Sequence, residues 1–339
     1  VKSKWLDCGH EENYFEVKSQ LINSRFFNSL TINSFGCMEK SSGEKEKLQQ
    51  EVFFNQNLPE ELSYLVPRTN DLVEGEEHVR YSMEYYPFPN LAEIVLYWDL
   101  KDCVFENLFH TIELILKKFN SFDYSLSKKE YCQFYIVKLN DRLKSFYNQN
   151  KSLSLMSEEI YINGIRCLSP QQLMPWITQN IHDLYDETHL GIMHGDLCFN
   201  NILYDFSNDV IKLIDPRGKF AEEMSIYGDM KYDLAKIIHS SVYHYDYIVN
   251  DLYELSISVN TGYTYKFALR DNDLLLQKLS IKLVKSLGVD FQQIEFMVGM
   301  LFLSMAALHK DDENRQVLMY LHGVKILNEN YNGEKENLS

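Results

Sequence analysis

Residues 191–233 read GIMHGDLCFNNILYDFSNDVIKLIDPRGKFAEEMSIYGDMKYD. Three pieces of this stretch carry chemistry. They are His194-Gly195-Asp196 with Asn201 five residues on, then Ile214-Asp215-Pro216-Arg217-Gly218, then Gly228-Asp229 through Tyr232-Asp233. Two short apolar runs, 201–204 and 210–214, are separated by Asp205-Phe206-Ser207-Asn208-Asp209. Runs joined by such a turn predict a β-hairpin. Asn201 then stands at the mouth of one strand and Asp215 at the mouth of its partner, with Asp196 in the loop before. A base, an amide ligand and a carboxylate ligand gathered this way suit phosphoryl transfer from a magnesium nucleotide.

The chain has 339 residues, enough for one large domain or two lobes, and an ordinary balance of 45% hydrophobic and 24% charged residues. Its formal net charge of −16 argues against a nucleic-acid backbone or an anionic membrane surface as partner. Acidity of this kind serves solubility first; the sharper reading is an acidic cleft for a cationic substrate. Cys8, Cys37, Cys103, Cys132, Cys167 and Cys198 show no C-x-x-C pair, so neither a zinc site nor a disulfide framework is expected. The longest apolar run, residues 296–308, is too short to span a bilayer and reads as a buried helix. No signal peptide is read at the start. Together these features favour a reducing cytoplasm, where ATP is available.

Competing chemistries lack their motifs. There is no G-x-x-x-x-G-K-[ST], no G-x-S-x-G and no H-E-x-x-H. His189 and His194 flank a glycine and make a poor metal pair.

On the stretch quoted first, the chain resembles the aminoglycoside phosphotransferase and choline kinase family. The family's H-G-D-x(4)-N loop is met by His194, Gly195, Asp196 and Asn201, and its I-D metal motif by Ile214-Asp215. Its G-D-x-x-Y-D-L-A segment is met by residues 228–235. The resemblance implies an α+β, bilobal, protein-kinase-like fold, with a small β-rich N-lobe over residues 26–89 and a mainly helical C-lobe over 90–330. It implies Asp196 as general base and Asn201 and Asp215 as magnesium ligands. It implies ATP or GTP as the phosphate donor and a small-molecule hydroxyl as the acceptor. Asn200 is the rival to Asn201, and the family spacing selects Asn201. His194 is expected to brace the loop, and Asp233 to support it from a helix start. Asp229 is expected to cap that helix. Pro216 and Arg217 are more similar to streptomycin-type and fructosamine-type kinases than to choline kinases. Arg217 is read either as a phosphate or anion contact or as a salt bridge within its loop.

A kinase also needs a strand lysine paired with a helix glutamate. Residues 26–42 read as β structure with a turn near 33–34, and residues 44–56 as a helix, which makes Lys40 and Glu51 the candidates. Ordinary solvated charges are the competing reading of Glu51. No G-x-G-x-x-G precedes Lys40; only Gly36 stands there. The strand predicted at 79–85 ends at Tyr85-Tyr86-Pro87. The backbone of Glu84, Tyr85 and Tyr86 is therefore expected to face the adenine.

Apolar spacing near 3.6 predicts helices at 91–96, 99–119, 128–147, 169–187, 232–241, 247–257, 272–287, 291–309 and 313–328. Ser127 and Glu130 form a candidate capping box. Residues 161–167 read as a short strand or insertion, and 331–339 as a polar tail. Tyr243, Tyr245, Tyr247 and Tyr253 offer an aromatic cage for a quaternary amine, although with 23 tyrosines packing is the stronger reading. Residues 1–25 form a leading segment. Within it, Trp5-Leu6-Asp7-Cys8-Gly9-His10 is similar to the closing segment of sugar nucleotidyltransferases. That likeness implies a fused or partner nucleotidyltransferase, against the equal alternative of a cloning or natural start. The expected activity is phosphorylation of a sugar, amino alcohol or related metabolite, tilted toward a surface-polysaccharide building block. The rivals are an aminoglycoside-type antibiotic phosphotransferase and an inactive ligand-binding module. Oligomeric state is not legible.

Overall fold

Val79–Glu84 alternates as a half-buried strand should, with Val79, Tyr81 and Met83 inward. In this computed structural model, which describes residues 28–337 except 34, 71, 76–77, 151–158, 222 and 259–261, that strand is central to a four-stranded antiparallel sheet. The sheet order is Asn28–Ile32, Cys37–Ser42, Val79–Glu84, Val73–Glu74. The leading segment 1–25, with its likeness to nucleotidyltransferases, lies outside the described residues.

The helix Lys45–Asn57 covers the inner face of the sheet. Leu48 and Val52 pack with Val79, Tyr81 and Met83 into one apolar cluster. Burying each such side chain is worth roughly 1.5–3 kcal/mol. Two short strands, Ile202–Asp205 and Val210–Leu213, form the hairpin predicted from the central stretch, with Ile202 opposite Leu213. Its turn is built by Asp205, whose carboxylate accepts from the Ser207 amide at 2.9 Å and from Asn208 Nδ2 at 2.7 Å.

The chain divides into two compact units. The first holds the described residues up to Ile94 together with His194–Ile226; the second holds Val95–Met193 and the described residues from Tyr227 onward. The catalytic-loop candidates group in this division with the β-rich unit. The hairpin accounts for this: Leu203 bridges to Asn90, and the Tyr204 amide donates to the Pro89 carbonyl at 3.0 Å.

The second unit is mainly helical. Ser127 and Glu130 form the capping box that starts Lys128–Gln149, and Ser169 with Gln172 does the same for Pro170–Leu184. Most of the apolar run 296–308 lies in Phe291–Ala306, whose residues from Phe296 to Ala306 are all buried. That helix packs closely on Glu313–Asn337. A Cβ at Gly323 would sit 2.9 Å from the Gly299 carbonyl oxygen, so the crossing needs glycine. Among the described residues no helix is long and apolar enough to cross a membrane.

The structure differs from expectation in three places. Residues 247–257 are not one helix: the helix is only Tyr245–Val249, and Tyr253–Ser258 is a strand paired with Gly262–Phe267. Asp251 adopts φ 57°, and the Leu252 amide turns back to the Tyr247 carbonyl at 2.9 Å, which ends the helix. Beyond it Tyr253, Leu255 and Ile257 alternate with polar residues, a period of two that the helical reading missed. Secondly, residues 161–167 belong to a hairpin, Glu159–Ile162 with Ile165–Leu168, turned by Asn163 and Gly164 at φ 50° and 80°. Asn-Gly suits a type I′ turn, and this pair joins the other hairpin in one four-stranded sheet. Lastly, the C-terminal helix runs on to Asn337, past the expected end at 328.

Candidate functional site

Lys40 sits on the inward face of its strand, directly opposite Tyr81. An ammonium there, only 2% exposed, must be paired. Glu51 lies on the buried stripe of the covering helix, between Leu48 and Val52. Lys40 Nζ donates to Glu51 Oε2 at 2.6 Å and to Asp215 Oδ1 at 2.7 Å. Tyr81 donates its phenol to the other Glu51 oxygen. One lysine thus ties a strand, a helix and the mouth of the 202–213 hairpin together within the first unit.

The electrostatics follow from burial and from this triad. Burial alone would lower the Lys40 pKa, but Asp215 and Glu51 outweigh it and hold the ammonium above its ordinary value. Burial pushes the Glu51 carboxyl up, with Asp215 adding to the rise and Lys40 opposing it. For Asp215, burial acts upward, yet the Lys40 charge and hydrogen bond leave its carboxyl below the usual range. Asp196 is close enough to push the Asp215 value upward. Tyr81 is driven well up by burial and by Glu51, so its phenol stays a donor.

Asn201 is held by its neighbour in the loop. Its Nδ2 donates to the Asp196 carbonyl at 2.9 Å and to Asp196 Oδ2 at 3.2 Å, which leaves the carboxamide oxygen as the end for a ligand. The Ile214 amide donates to the Asn201 carbonyl at 3.0 Å, one step beyond the Ile202–Leu213 pair. That bond sets Asp215 beside the amide. Asp215 itself has φ 57°, a left-handed conformation uncommon outside glycine. The strain turns its carboxylate toward Lys40, and 46% of the side chain remains exposed.

His194 is fully buried. Its ring accepts from the Asp196 amide at 3.3 Å and meets Phe54 edge-on at 5.9 Å, while its carbonyl accepts from the Arg217 amide at 2.7 Å. The HGD loop and the Asp215 loop are therefore joined through backbone. Gly218 follows at φ 57°, where a Cβ would fall 1.8 Å from the Gln50 carbonyl oxygen. Only glycine lets this loop lie against the helix that carries Glu51.

At the strand end, the Glu84 amide donates to the Arg68 carbonyl at 3.1 Å, and Tyr86 donates its phenol to Glu84 Oε2 at 2.5 Å. The Tyr86 ring stacks on Phe88 at 5.7 Å, and Lys212 lies 4.7 Å from its centroid. In the second unit, Asp229 caps Met230–Ser241 by accepting from the Lys231 amide at 2.9 Å. It also accepts from Tyr131 at 2.7 Å and Tyr135 at 3.0 Å. Asp233 is fully buried in the first turn of that helix.

Tyr81 and Phe54 escaped the sequence reading, and Gly218, quoted there with the Asp215 piece, was given no role of its own. Alternation marks Tyr81 as inward-facing, but only the register sets it opposite Lys40. Among the described residues, no group of three or more His, Cys, Asp and Glu could hold a metal. The donor set at this centre is an amide and a carboxylate oxygen, which fits a hard ion such as magnesium that keeps water and phosphate in its shell.

No family model and no curated protein matches the chain. Solved structures do match along most of its length. A thermostable mutant of aminoglycoside phosphotransferase APH(4)-Ia in its apo form is 9% identical, with 91% of this chain and 92% of that chain covered and a TM-score of 0.51. A fructosamine-3-kinase candidate from Haemophilus somnus 129PT is 12% identical, with 90% of each chain covered and a TM-score of 0.51. The ternary complex of APH(2")-IIa with streptomycin and ATP is 15% identical, covering 95% of this chain and 96% of that one, again at 0.51. At these identities the likeness is one of fold, and the protein has the kinase-like fold of the aminoglycoside phosphotransferases.

Proposed function

We propose that the chain is a small-molecule kinase that transfers the γ-phosphate of a magnesium nucleotide to an acceptor hydroxyl. The observation that carries this reading is Lys40 Nζ between Glu51 and Asp215, at 2.6 and 2.7 Å. A buried lysine oriented by a helix glutamate is the device that grips nucleotide phosphates, and an aspartate beside it is where their metal binds.

In this reading Asp196 orients the acceptor hydroxyl and takes its proton late in transfer. Asn201 and Asp215 would hold magnesium through oxygen, and the ion, when bound, neutralises and aligns the phosphates. Lys40 then exchanges Asp215 for phosphate oxygens while Glu51, fixed by Tyr81, keeps the ammonium in place. His194 and Gly218 position the two loops. We read Arg217, whose amide donates to the His194 carbonyl at 2.7 Å, as a contact for a phosphate or other anionic group. Asp233 supports the helix start behind Asp229. In this reading the strand end at Glu84, Tyr85 and Tyr86 receives the nucleotide base. A binding module without turnover needs no base beside an amide and a carboxylate ligand, so the presence of all three favours an enzyme.

The test is nucleotide turnover with magnesium over a panel of sugars, amino alcohols and aminoglycosides. One class of acceptor should stimulate turnover, and Asp196→Ala should abolish transfer while nucleotide still binds. Binding of nucleotide with no stimulation by any hydroxyl compound would remove the kinase reading.

A further inference from the structure

Leu274, Lys278, Ile281 and Lys285 recur along the helix Asp273–Ser286 in the second unit. At about 100° per residue these positions share one face, with Lys282 at its margin. The opposite face, Leu276, Ser280, Leu283 and Val284, is buried where the helix packs on Asp102–Phe119 and Met230–Ser241. The outward stripe is therefore not polar throughout: Leu274 is 67% exposed and Ile281 45%. A single exposed leucine is ordinary. Here apolar and cationic side chains alternate along one line.

Two further observations bear on what covers this stripe. Among the described residues the ammonium groups of Lys278, Lys282 and Lys285 make no ion pair, whereas Lys40, Lys117, Lys219, Lys266 and Lys325 each meet a carboxylate. In a chain of net charge −16, these three lysines create a local field of opposite sign. At the N-terminal end of the stripe a groove of about 520 Å³ opens where Leu274 and Leu275 meet Trp98, Leu100 and Phe105. An apolar seat thus adjoins a row of cations. From Leu274 to Lys285 the row runs roughly 16 Å, about three turns of a facing helix. The exposed carboxylates of Asp102 and Asp271 also line the groove and would repel a phosphate backbone or an anionic lipid surface.

We propose that this face docks an acidic amphipathic helix of a partner protein, with one apolar side chain seated in the groove and its carboxylates on Lys278, Lys282 and Lys285. Charge complementarity selects the acidic partner, and the groove selects one with an apolar stripe. The proposal rests on no part of the kinase reading.

Fluorescence anisotropy of a labelled helical peptide of about 18 residues, leucine on one stripe and glutamate elsewhere, tests this on the full chain at low salt. The peptide should bind saturably and weaken as salt rises. A lysine-for-glutamate counterpart and a version without leucine should not bind. The triple variant Lys278→Gln/Lys282→Gln/Lys285→Gln should weaken binding roughly tenfold, and Leu274→Ser by a similar factor. All four positions are exposed, so folding should be retained. Removing three exposed lysines elsewhere, Lys128→Gln/Lys129→Gln/Lys144→Gln, should leave affinity at the parental value and separates this face from general charge. No saturable binding, equal binding of either control peptide, or equal losses in the two triple variants would each overturn the proposal. So would a face that binds phosphatidylserine vesicles in preference to the peptide. Sedimentation showing a dimer of this chain that the Lys278→Gln/Lys282→Gln/Lys285→Gln variant abolishes would assign the face to a second copy and overturn it as well.

Discussion

Lys40 and Asp215 stand 175 positions apart in the chain, yet Lys40 Nζ lies 2.7 Å from Asp215 Oδ1. The contact joins the sheet to the hairpin mouth and places the proposed phosphate grip beside the proposed metal ligand. Because Glu51 shares the same ammonium, the three charges act as one unit. Their behaviour under substitution is the sharpest check on the site.

Removing Lys40 strands Glu51, whose side chain is 3% exposed. Lys40→Met should therefore destabilise the fold by ~3–5 kcal/mol, as for other broken buried pairs. Lys40→Met/Glu51→Leu should recover much of that loss, since an apolar pair of similar volume needs no charge compensation. Both variants should lose transfer. Urea unfolding measures the cycle, and additive losses would show that the two side chains do not depend on each other.

Asp215→Ala and Asn201→Ala should remove the response of nucleotide binding to magnesium. Fluorescence titration of a nucleotide analogue with and without the ion reads this. Asp196→Ala, by contrast, should keep the magnesium response while transfer falls by ~100- to 10,000-fold. A magnesium response that survives loss of both Asn201 and Asp215 would place the ion elsewhere.

Gly218→Ala should cost ~1–3 kcal/mol from backbone strain alone, before the clash of its Cβ with the Gln50 carbonyl is counted. The loop must then lift from the helix, so the Lys40–Asp215 contact should suffer with it. Thermal unfolding and transfer rate should fall together. A variant with parental stability and rate would mean that the loop does not need this approach.

His322 is buried, with Nδ1 2.7 Å from the Tyr265 hydroxyl and Nε2 3.0 Å from the Tyr243 carbonyl oxygen. Burial, with the charges of His244 and Lys325, pushes its pKa down from 6.5 to about 3, against the opposing Tyr243 bond. The folded protein therefore keeps the ring neutral while the unfolded chain protonates it. Stability should be fully present above the unfolded value and fall as pH drops from 6.5 toward 3, by at most ~1.4 kcal/mol per unit. His322→Gln should flatten the slope over that window. Denaturant midpoints between pH 6 and 4 test this, and equal slopes in parent and variant would refute it.

Local rules carried much of the architecture into view. The 202–213 hairpin was legible because two apolar runs flank an Asp-rich turn, and the helix at 128–149 because Ser127 and Glu130 cap it. The helix read at 247–257 failed because tyrosines suit either period, and the left-handed Asp251 that ends it has no unambiguous local mark. The Asn163-Gly164 turn was a readable hairpin signal that the reading of 161–167 as a short strand or insertion passed over.

The sequence alone singled out the residues proposed to bear the chemistry, because a base, an amide and a carboxylate at those spacings answer to short-range geometry. What needed the folded chain was their meeting. Strand register set Tyr81 opposite Lys40, close packing at Gly218 brought the loop against Gln50, and burial forced Lys40 to share two carboxylates. Register, packing and desolvation depend on partners far away in the chain, so no local pattern contains them.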